Sequence, residues 1–445
     1  MSAEIITLSN VYSKLLNNKR DIYVYLPPSY EEAMNRRYPV LYAQDGQHMF
    51  ASDGMGGSWE MHLTADRLSR KGQMREVIIV AVSSISDQRA SEYFHEHPSV
   101  SEAFHASCKG ELYERFLIEE LKPMIDGRFR TLKDREHTAL IGSSAGGIVS
   151  YHIAFRRPDV FGQVAIMSPF LVHTVVNEQG GDTNKQEPLR EQKLYHSFPV
   201  KPAELRVWVD VGGAEGLIMP RHVRAFVDEL IEVGFKPGED LMFLLDETAG
   251  HSQADWAGRL HCPLLYLFGE FGSPHNLQLA ATGTIGLQGL QGQLNPKVTY
   301  DTGFQMNLLA ADYTVDRPEV LTVDSNGRVT PRIEGTAKVA VRYRDLTGST
   351  SFEIVPELPD DVRVEISVTV PPTTPTDARI HAGFEIPKVR DGFYQGCFLL
   401  PRDLAFDVKV SRGFGFHERR DTNRRFNTST PVRLQFIVEE WEDFL

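Results

Sequence analysis

The sequence ALIGSSAGGIVSYHIAFRRPDVFGQVAIMSP at residues 139–169 predicts a strand, a helix and a second strand in immediate succession. The first strand covers His137 to Gly142, the helix covers Ala145 to Arg157, and the second strand covers Gln163 to Met167. Two strands that are joined by a crossover helix within one sheet run parallel to each other. This segment therefore predicts one unit of a parallel sheet that is covered by helices.

The same alternation extends to both sides of this unit. Apolar runs at Val77 to Val82, Leu205 to Val211 and Leu241 to Leu245 are typical of buried parallel strands. An amphipathic helix is predicted over Pro220 to Val233, where apolar residues recur at helical spacing. Repeated units of this kind predict an α/β fold with a mostly parallel central sheet over residues 1–272.

The pattern changes after Gly272. Short alternating runs, such as Ala337 to Tyr343 and Val362 to Val370, replace the helical periodicity and are separated by turn residues. This spacing is typical of β-sandwiches, and Pro356 to Asp361 has the composition of a linker. We therefore predict an α/β domain at residues 1–272 and two all-β sandwich domains at residues 273–357 and 358–445.

Composition narrows the possible functions. The 445 residues include 47 lysines and arginines against 60 aspartates and glutamates, which gives a formal net charge of −13. This acidic balance argues against nucleic-acid binding and gives no support for a membrane partner. No apolar run approaches the roughly 18 residues that a membrane-spanning helix needs. Because the three cysteines are far apart and no secretory signal is visible, we expect a cytoplasmic protein without disulfides.

The segment Gly142 to Gly146 fits the pattern G-x-S-x-G, with Ser144 at its centre. The pattern follows a predicted strand and opens a predicted helix, which is the context that it requires. A tight strand-to-helix turn pushes the serine side chain out of the sheet, and the helix N-terminus offers free amides to a developing oxyanion. We therefore predict that Ser144 is a catalytic nucleophile.

A nucleophilic serine needs a base and an acid, which follow it along the chain in hydrolases of this architecture. His251 is the candidate base, because it lies on a glycine-flanked loop after the strand at Leu241 to Leu245. Two carboxylates compete for the acid: Asp210 lies inside a strand, whereas Glu215 lies in the loop that follows. A loop carboxylate turns toward the imidazole more easily, so we prefer Glu215.

The oxyanion hole of such a site is built from two backbone amides. One is expected from Ala145, directly after the nucleophile. The other is expected from the loop after the early strand, at Gly46 and Gln47, and we assign it to the amide of Gln47.

At these residues the first part of the chain resembles the putative-esterase, or esterase D-like, branch of the α/β hydrolases, which includes feruloyl and siderophore esterases. The matching stretches are YVYLPPSYEE, RYPVLYAQDGQHMF, LIEELKPMID, VDVGGAEGL, AGHSQADWAGRL, the region of Arg89, and residues 139–169. The resemblance implies an α/β-hydrolase fold and a triad of Ser144, Glu215 and His251. With it, we assign Gly46, Arg89, Ser143 and Trp256 to substrate binding.

The downstream regions carry two further resemblances. Tyr313 to Val355 is similar to bacterial Ig-like group 2 domains, and Val362 to Asn427 is similar to family-20-like carbohydrate-binding modules. Such modules stack sugars on exposed aromatic rings. Phe393 or Tyr394 could serve here, with core packing as the alternative, and a spacer or homo-oligomer role for these domains stays open.

Two long segments, Ser83 to Gly110 and Val172 to Pro202, are expected to shape the substrate site, because loops of this length in a compact domain usually form lids or binding loops. The first contains His95, His97 and His105. Spacing places no carboxylate beside them, so we predict no metal and no cofactor.

These patterns predict a serine carboxylic-ester hydrolase that acts on a small-molecule ester, possibly linked to a carbohydrate. Two alternatives stay open. One is a siderophore-type ester hydrolase or an acyltransferase. The other is a degenerate hydrolase domain whose β domains bind carbohydrate or a partner.

Overall fold

A computed structural model describes residues 4–51, 57–85, 87–104, 107–176, 189–216, 219–279, 283–289, 292–413 and 416–442. Its N-terminal part contains ten strands: β1 Glu4–Ser13, β2 Asn18–Leu26, β3 Val40–Gln44, β4 Ile78–Val82, β5 Thr138–Ser143, β6 Gln163–Met167, β7 Val172–Val176, β8 Leu189–Lys193, β9 Arg206–Gly212 and β10 Leu241–Asp246. Eight of them form one sheet in the order β1-β2-β4-β3-β5-β6-β9-β10, and β7 pairs with β8 separately.

The central sheet is parallel from β4 through β10, whereas β1 and β2 run antiparallel at one edge. Its inner strands, including β4 and β5, are buried along their whole length. The predicted α/β fold with a mostly parallel sheet is thus confirmed. The consequence for function is that β5, β9 and β10 all end at the same edge of the sheet.

The helices lie between these strands. They are α1 Met61–Arg70, α2 Arg89–Tyr93, α3 Pro98–Phe104, α4 Gly110–Arg115, α5 Lys122–Arg128, α6 Ala145–Arg156, α7 Met219–Glu232, α8 Gln253–Arg259 and α9 His261–Phe268. A π-helical stretch, Phe116–Leu121, joins α4 to α5. In the part of the chain that the structure describes, no helix is long and apolar enough to cross a bilayer.

The C-terminal part is built from short strands. They are β11 Pro274–Gln278, β12 Thr284–Gly286, β13 Gly292–Gln293, β14 Lys297–Tyr300, β15 Gln305–Asn307, β16 Asp312–Val315, β17 Leu321–Val323, β18 Arg328–Pro331, β19 Gly335–Tyr343, β20 Leu346–Val355, β21 Asp361–Thr369, β22 Ile380–His381, β23 Glu385–Ile386, β24 Lys388–Arg390, β25 Phe393–Pro401, β26 Ala405–Val408, β27 Ser411–Arg412, β28 Phe416–His417, β29 Arg424–Asn427 and β30 Val432–Ile437. The all-β character predicted for this region is confirmed.

The cores of the two parts meet at the first predicted domain boundary. Val298, Phe304 and Met306 of the β-rich region belong to the same buried cluster as Trp208 and Tyr266 of the α/β region. Phe304 packs against Trp208 with a centroid distance of 5.7 Å. Two further clusters fill the β-rich region itself, one around β17 to β20 and one around β21 and β25.

Candidate active site

Ser144 lies at the sharp turn between β5 and α6. Its backbone has φ 55° and ψ −125°, a conformation that residues with a side chain rarely adopt. Its amide donates to the carbonyls of Met167 and Ser168 at 3.0 and 3.1 Å, which holds the turn in place. A Cβ atom on Gly142 would lie 2.3 Å from the carbonyl oxygen of Gly146, so the turn needs glycine there. The side chain of the neighbouring Ser143 is buried.

The chain after β9 and the chain after β10 meet at the same edge of the sheet. Glu215 follows β9 and His251 follows β10, and the two strands are parallel neighbours. The Nδ1 atom of His251 lies 2.9 Å from Oε2 of Glu215. The Glu215 side chain is fully buried, whereas the His251 side chain is 34% exposed. This arrangement joins a buried carboxylate to an imidazole that a small molecule can reach.

Buried donors hold the other oxygen of Glu215. Oε1 accepts hydrogen bonds from the Gly212 amide and from the Ser168 hydroxyl, both at 2.6 Å. The Ser168 hydroxyl in turn accepts hydrogen bonds from Nε1 of Trp256 at 2.9 Å and from Arg259 at 2.6 Å. Such a network fixes the orientation of the carboxylate and leaves Oε2 directed at the imidazole.

Asp210, the alternative acid, is part of the support and not a partner of His251. Arg259 and the indole of Trp208 hydrogen-bond its two carboxylate oxygens at 2.9 and 2.7 Å. Burial raises the pKa of Asp210 although Arg259 opposes that effect. Asp210 thus anchors the guanidinium that also approaches Glu215 at 3.5 Å.

The Trp256 ring packs edge-on against the His251 ring with a centroid distance of 4.8 Å. Trp256 is buried and therefore supports the imidazole from the protein side. No hydrogen bond joins the Ser144 hydroxyl to His251 among the described residues. Catalytic hydrogen bonds are often long without substrate and tighten when it binds, so the role of each triad residue stays a prediction.

The two candidate oxyanion amides both belong to the beginning of a helix. Ala145 is the first residue of α6, and Gln47 lies in a single 3₁₀ turn, Gly46–His48, that follows Asp45 in the left-handed conformation. Amides in the first turn of a helix have no partner within that helix. The Gln47 side chain is bound to Ser84, which fixes the turn and leaves its backbone as the group of interest.

The predicted binding residues Gly46 and Arg89 lie beside this turn. A Cβ atom on Gly46 would lie 2.5 Å from the backbone of Ala81, so only glycine fits against β4. Arg89 forms a two-pronged ion pair with Asp45 at 2.7 and 2.8 Å. Burial opposes ionisation of Asp45, but Arg89 outweighs it and lowers the pKa of the carboxyl. Arg89 therefore stabilises the left-handed turn that precedes Gln47.

Histidines of the two long segments predicted to shape the site pack with His152 of α6 in a chain of tilted imidazole rings. Rings of His95 and His152, of His152 and His196, and of His196 and His97 lie 4.8, 5.7 and 5.0 Å apart, and we name these four residues the histidine row. His95 also approaches Glu114 at 3.3 Å. Within the described residues no group of three or more potential ligands is arranged for a metal ion, and His105 lies outside them.

The aromatic residues proposed to stack a sugar differ in exposure. Tyr394 is buried, and its hydroxyl donates to the carbonyl of Ala378 at 2.8 Å. Trp441 is buried as well, with its indole bound to Thr374. Both side chains thus belong to the core of the last β region, and Phe393 is half-buried.

Sequence reasoning missed two residues of this site, Ser168 and Arg259. Both lie in stretches that carry the esterase resemblance, Ser168 in the segment that ends MSP and Arg259 in AGHSQADWAGRL. Their positions inside matched stretches were the available signal, but a contact between residues 91 positions apart becomes visible only in the fold.

Comparison with known proteins finds two matching families along the chain. The family described as Putative esterase matches residues 13–262, more than half of the chain, and the family described as Bacterial Ig-like domain matches residues 309–354. The chain is 28% identical over 194 residues to the uncharacterized protein YjcH of Bacillus subtilis, which covers 44% of this chain and 72% of YjcH.

Two further proteins are similar to part of this chain. An endo-1,4-beta-xylanase/feruloyl esterase of Xylanibacter ruminicola is 28% identical over 240 residues, which is 52% of this chain but 27% of that protein. A solved ferulic acid esterase from Anaeromyces mucronatus is 20% identical, covers 59% of this chain and 89% of its own, and has a TM-score of 0.44. On the family match over its first part, the chain belongs to the putative esterase family of carboxylic-ester hydrolases.

Proposed function

We propose that this protein hydrolyses carboxylic esters through an acyl-enzyme on Ser144, with His251 as general base and Glu215 as the acid of the triad. The observation that carries the proposal is the 2.9 Å contact between the buried Glu215 carboxylate and Nδ1 of His251. It lies at the sheet edge where Ser144 precedes α6. A carboxylate bound to Nδ1 keeps the proton there and leaves Nε2 free to accept one from a serine.

The reaction follows from these positions. The Ser144 oxygen attacks the ester carbonyl carbon while its proton passes to Nε2 of His251, and the amides of Ala145 and Gln47 stabilise the resulting oxyanion. The C–O bond to the alcohol then breaks, and the alcohol leaves with the proton from His251. Water then attacks the acyl carbonyl carbon and gives a proton to His251. The bond between that carbon and the Ser144 oxygen breaks, His251 returns the proton to the Ser144 oxygen, and the carboxylic acid leaves.

The substrate that we propose is a small acyl ester of a carbohydrate or a similar alcohol. Support comes from the relative named as a xylanase and feruloyl esterase, although the chain spans only about a quarter of that protein. We assign substrate contact to four residues: Gly46 and Ser143 precede Gln47 and Ser144 in the chain, Arg89 is partly exposed beside Asp45, and Trp256 packs against His251.

A fluorophosphonate probe tests the proposed nucleophile, because it labels only an activated serine. We expect stoichiometric labelling of the protein, no labelling of Ser144→Ala, and a loss of roughly 10⁶-fold in kcat on an aryl acetate for that variant. Ser150→Ala is the matched control, since Ser150 lies buried on the same helix, away from the turn. Near-normal turnover of Ser144→Ala would overturn the proposal.

A panel of esters resolves the alcohol and acyl halves. The proposal predicts that acetylated or feruloylated sugars are cleaved with a higher kcat/KM than a tricatecholate siderophore ester. The opposite order would favour the siderophore-type alternative. Formation of a new ester when an alcohol acceptor is added would identify acyl transfer.

A further inference from the structure

The loop that carries Glu215 is hydrogen-bonded to the last β region of the chain. The Gly216 amide donates to the carbonyl of Ala405 at 2.9 Å, and the Asp407 amide donates to the carbonyl of Ala214 at 2.9 Å. These two bonds flank Glu215 and pair it with Phe406 in an antiparallel bridge. The backbone on both sides of the proposed acid is thus fixed by a strand about 190 residues away.

The Phe406 side chain makes this contact rigid. Phe406 is buried and stacks on Phe426 with a centroid distance of 4.2 Å and an interplanar angle of 7°. Its ring lies directly over Gly216, where a Cβ atom would be only 2.6 Å from the ring. Gly216 has φ +72°, so this position needs glycine for its conformation and also for the close approach of Phe406.

The same strand reaches the loop of the proposed base. A Cβ atom on Gly250, the residue before His251, would lie 3.3 Å from Cβ of Asp407. Asp407 is buried and is held by an ion pair with Arg425 at 2.7 Å. We name residues 213–216, which carry Glu215, the acid loop, and residues 247–252, which carry His251, the base loop. The two loops are hydrogen-bonded to each other, since the Ala214 amide donates to the carbonyl of Ala249 at 3.0 Å. The acid loop therefore lies between the base loop and β26.

We infer that β26 is a positioning element of the active site: it holds the acid loop so that Glu215 meets His251. The inference rests on the proposed role of Glu215. Its physical basis is that a loop with fewer backbone contacts would spread Glu215 over several positions, whereas hydrogen bonds on both sides of Glu215 and the Phe406 ring over Gly216 restrict it to one. Misplacement of a catalytic group by about 1 Å can cost roughly 100-fold in rate.

The first test is Gly216→Ala in the full-length protein, which places a methyl group against the Phe406 ring. We expect kcat on an aryl acetate to fall roughly 10- to 100-fold while KM changes less than about twofold, because the acid acts on the reaction more than on binding. Gly238→Ala is the matched control: Gly238 has φ +80° but nothing within 4 Å of an added Cβ. We expect Gly238→Ala to keep its kcat.

Two combined variants separate positioning from general destabilisation. Phe406→Leu should restore part of the kcat of Gly216→Ala, because it removes the ring from the clash. In a Glu215→Gln background, Gly216→Ala should cause no further loss of kcat, because its effect passes through the acid. Equal losses in the presence and absence of Glu215, or no rescue by Phe406→Leu, would overturn the inference.

A second substitution tests the same contact if Gly216→Ala does not fold. Because alternate residues of a strand direct their backbone groups to opposite sides, the Asp407 amide serves the acid loop and not β29. Asp407→Pro removes that donor together with the carboxylate that pairs with Arg425, so Asp407→Ala, which removes the carboxylate alone, is the control. We expect a similar fall in kcat for Asp407→Pro but not for Asp407→Ala. Unchanged kcat in a folded Asp407→Pro would contradict the inference.

The proposed triad and the positioning role of β26 are contradicted by different results. If Glu215→Gln alone keeps normal kcat, the proposed triad is wrong. If Glu215→Gln is impaired while Gly216→Ala and Asp407→Pro are normal, the triad stands and the positioning role of β26 is wrong.

Discussion

The pair of Glu215 and His251 and the histidine row lie in the same α/β region but differ in how charge is arranged around them. Glu215 is fully buried and directs one oxygen at a half-open imidazole. In the row, Glu114 is shared between His95 and Arg156, and the imidazole rings pack against one another at tilted angles. Burial alone would favour neutral Glu114, but these two partners lower the pKa of its carboxyl. A histidine becomes a candidate base when one carboxylate oxygen is directed at it alone and its ring is partly exposed, and not because it is buried or has many histidine neighbours.

Replacing a histidine in each group gives the largest expected contrast. His251→Ala should lower kcat on an aryl acetate by roughly 10⁵- to 10⁶-fold, because triad residues act as a unit. His196→Ala, which removes an exposed member of the row, should keep most of its kcat. Steady-state kinetics on both variants checks this. A large loss in His196→Ala would mean that the row takes part in the reaction.

Replacing the carboxylate of each group gives the next contrast. Glu215→Gln should reduce kcat by about 10⁴-fold, since an amide no longer stabilises the imidazolium. Glu114→Gln should keep kcat but unfold at a lower temperature, because it loses hydrogen bonds of a charged carboxylate, which contribute about 1.5–3 kcal/mol. Thermal unfolding and kinetics on both proteins provide the readout. A large loss of kcat in Glu114→Gln, together with a mere loss of stability in Glu215→Gln, would contradict the roles given to the two carboxylates.

A smaller effect is expected from the indoles beside the site. Trp256→Phe keeps a ring against His251 but removes the hydrogen bond to Ser168. If loss of this hydrogen bond raises the activation free energy by about 1 kcal/mol, kcat falls roughly fivefold. Trp59→Phe is the control, because the Trp59 indole binds Gln253 and not the acid network. Equal kcat for the two variants would show that the hydrogen bond from Trp256 to Ser168 does not help to orient Glu215.

The pH dependence of stability tests the buried environment of the histidine row. Burial, reinforced by neighbouring cationic groups, lowers the pKa of His152 well below its usual value. Such a group contributes full stability above the unfolded pKa near 6.5, and this contribution is lost as the pH falls below it, because the unfolded chain takes up the proton. We expect the free energy of unfolding to fall by up to about 1.4 kcal/mol per pH unit in that range.

His152→Gln should flatten that dependence, and thermal unfolding measured from about pH 7 to about pH 5 checks it. The variant has no imidazole to protonate, so its melting temperature should change less with pH than that of the unsubstituted protein. An unchanged slope would assign the acid sensitivity to other buried histidines, such as His381, whose pKa burial lowers to about 4.

The parts of the fold that follow from local patterns were predictable. The turn at Ser144 depends on glycines within four residues of it, so its pattern in the sequence carries its geometry. The strands that are buried on both faces were also predictable from local sequence, because they appear as continuous apolar runs. By contrast, β1 was not predicted, because its side chains are mostly exposed and its place at the sheet edge demands no apolar face.

Other features depend on contacts that local patterns do not contain. The apolar spacing over Ser252 to Phe268 predicts a single helix, but the structure has two, α8 and α9, which meet at Leu260. Pro263 has no amide hydrogen to donate to the carbonyl of Arg259, so the break has a local cause that periodicity overlooked. The pairing of the acid loop with β26 has no local signal, because residues on β26 pack against a loop from another region.

The most direct test of the account is a crystal structure of the protein with a phosphonate bound covalently to Ser144. The account predicts that Nε2 of His251 lies within about 2.6–3.2 Å of the Ser144 oxygen or of the phosphonate oxygen that replaces the leaving group, with Nδ1 still on Glu215. An adduct at another serine, or an imidazole of His251 turned away from Ser144, would contradict it.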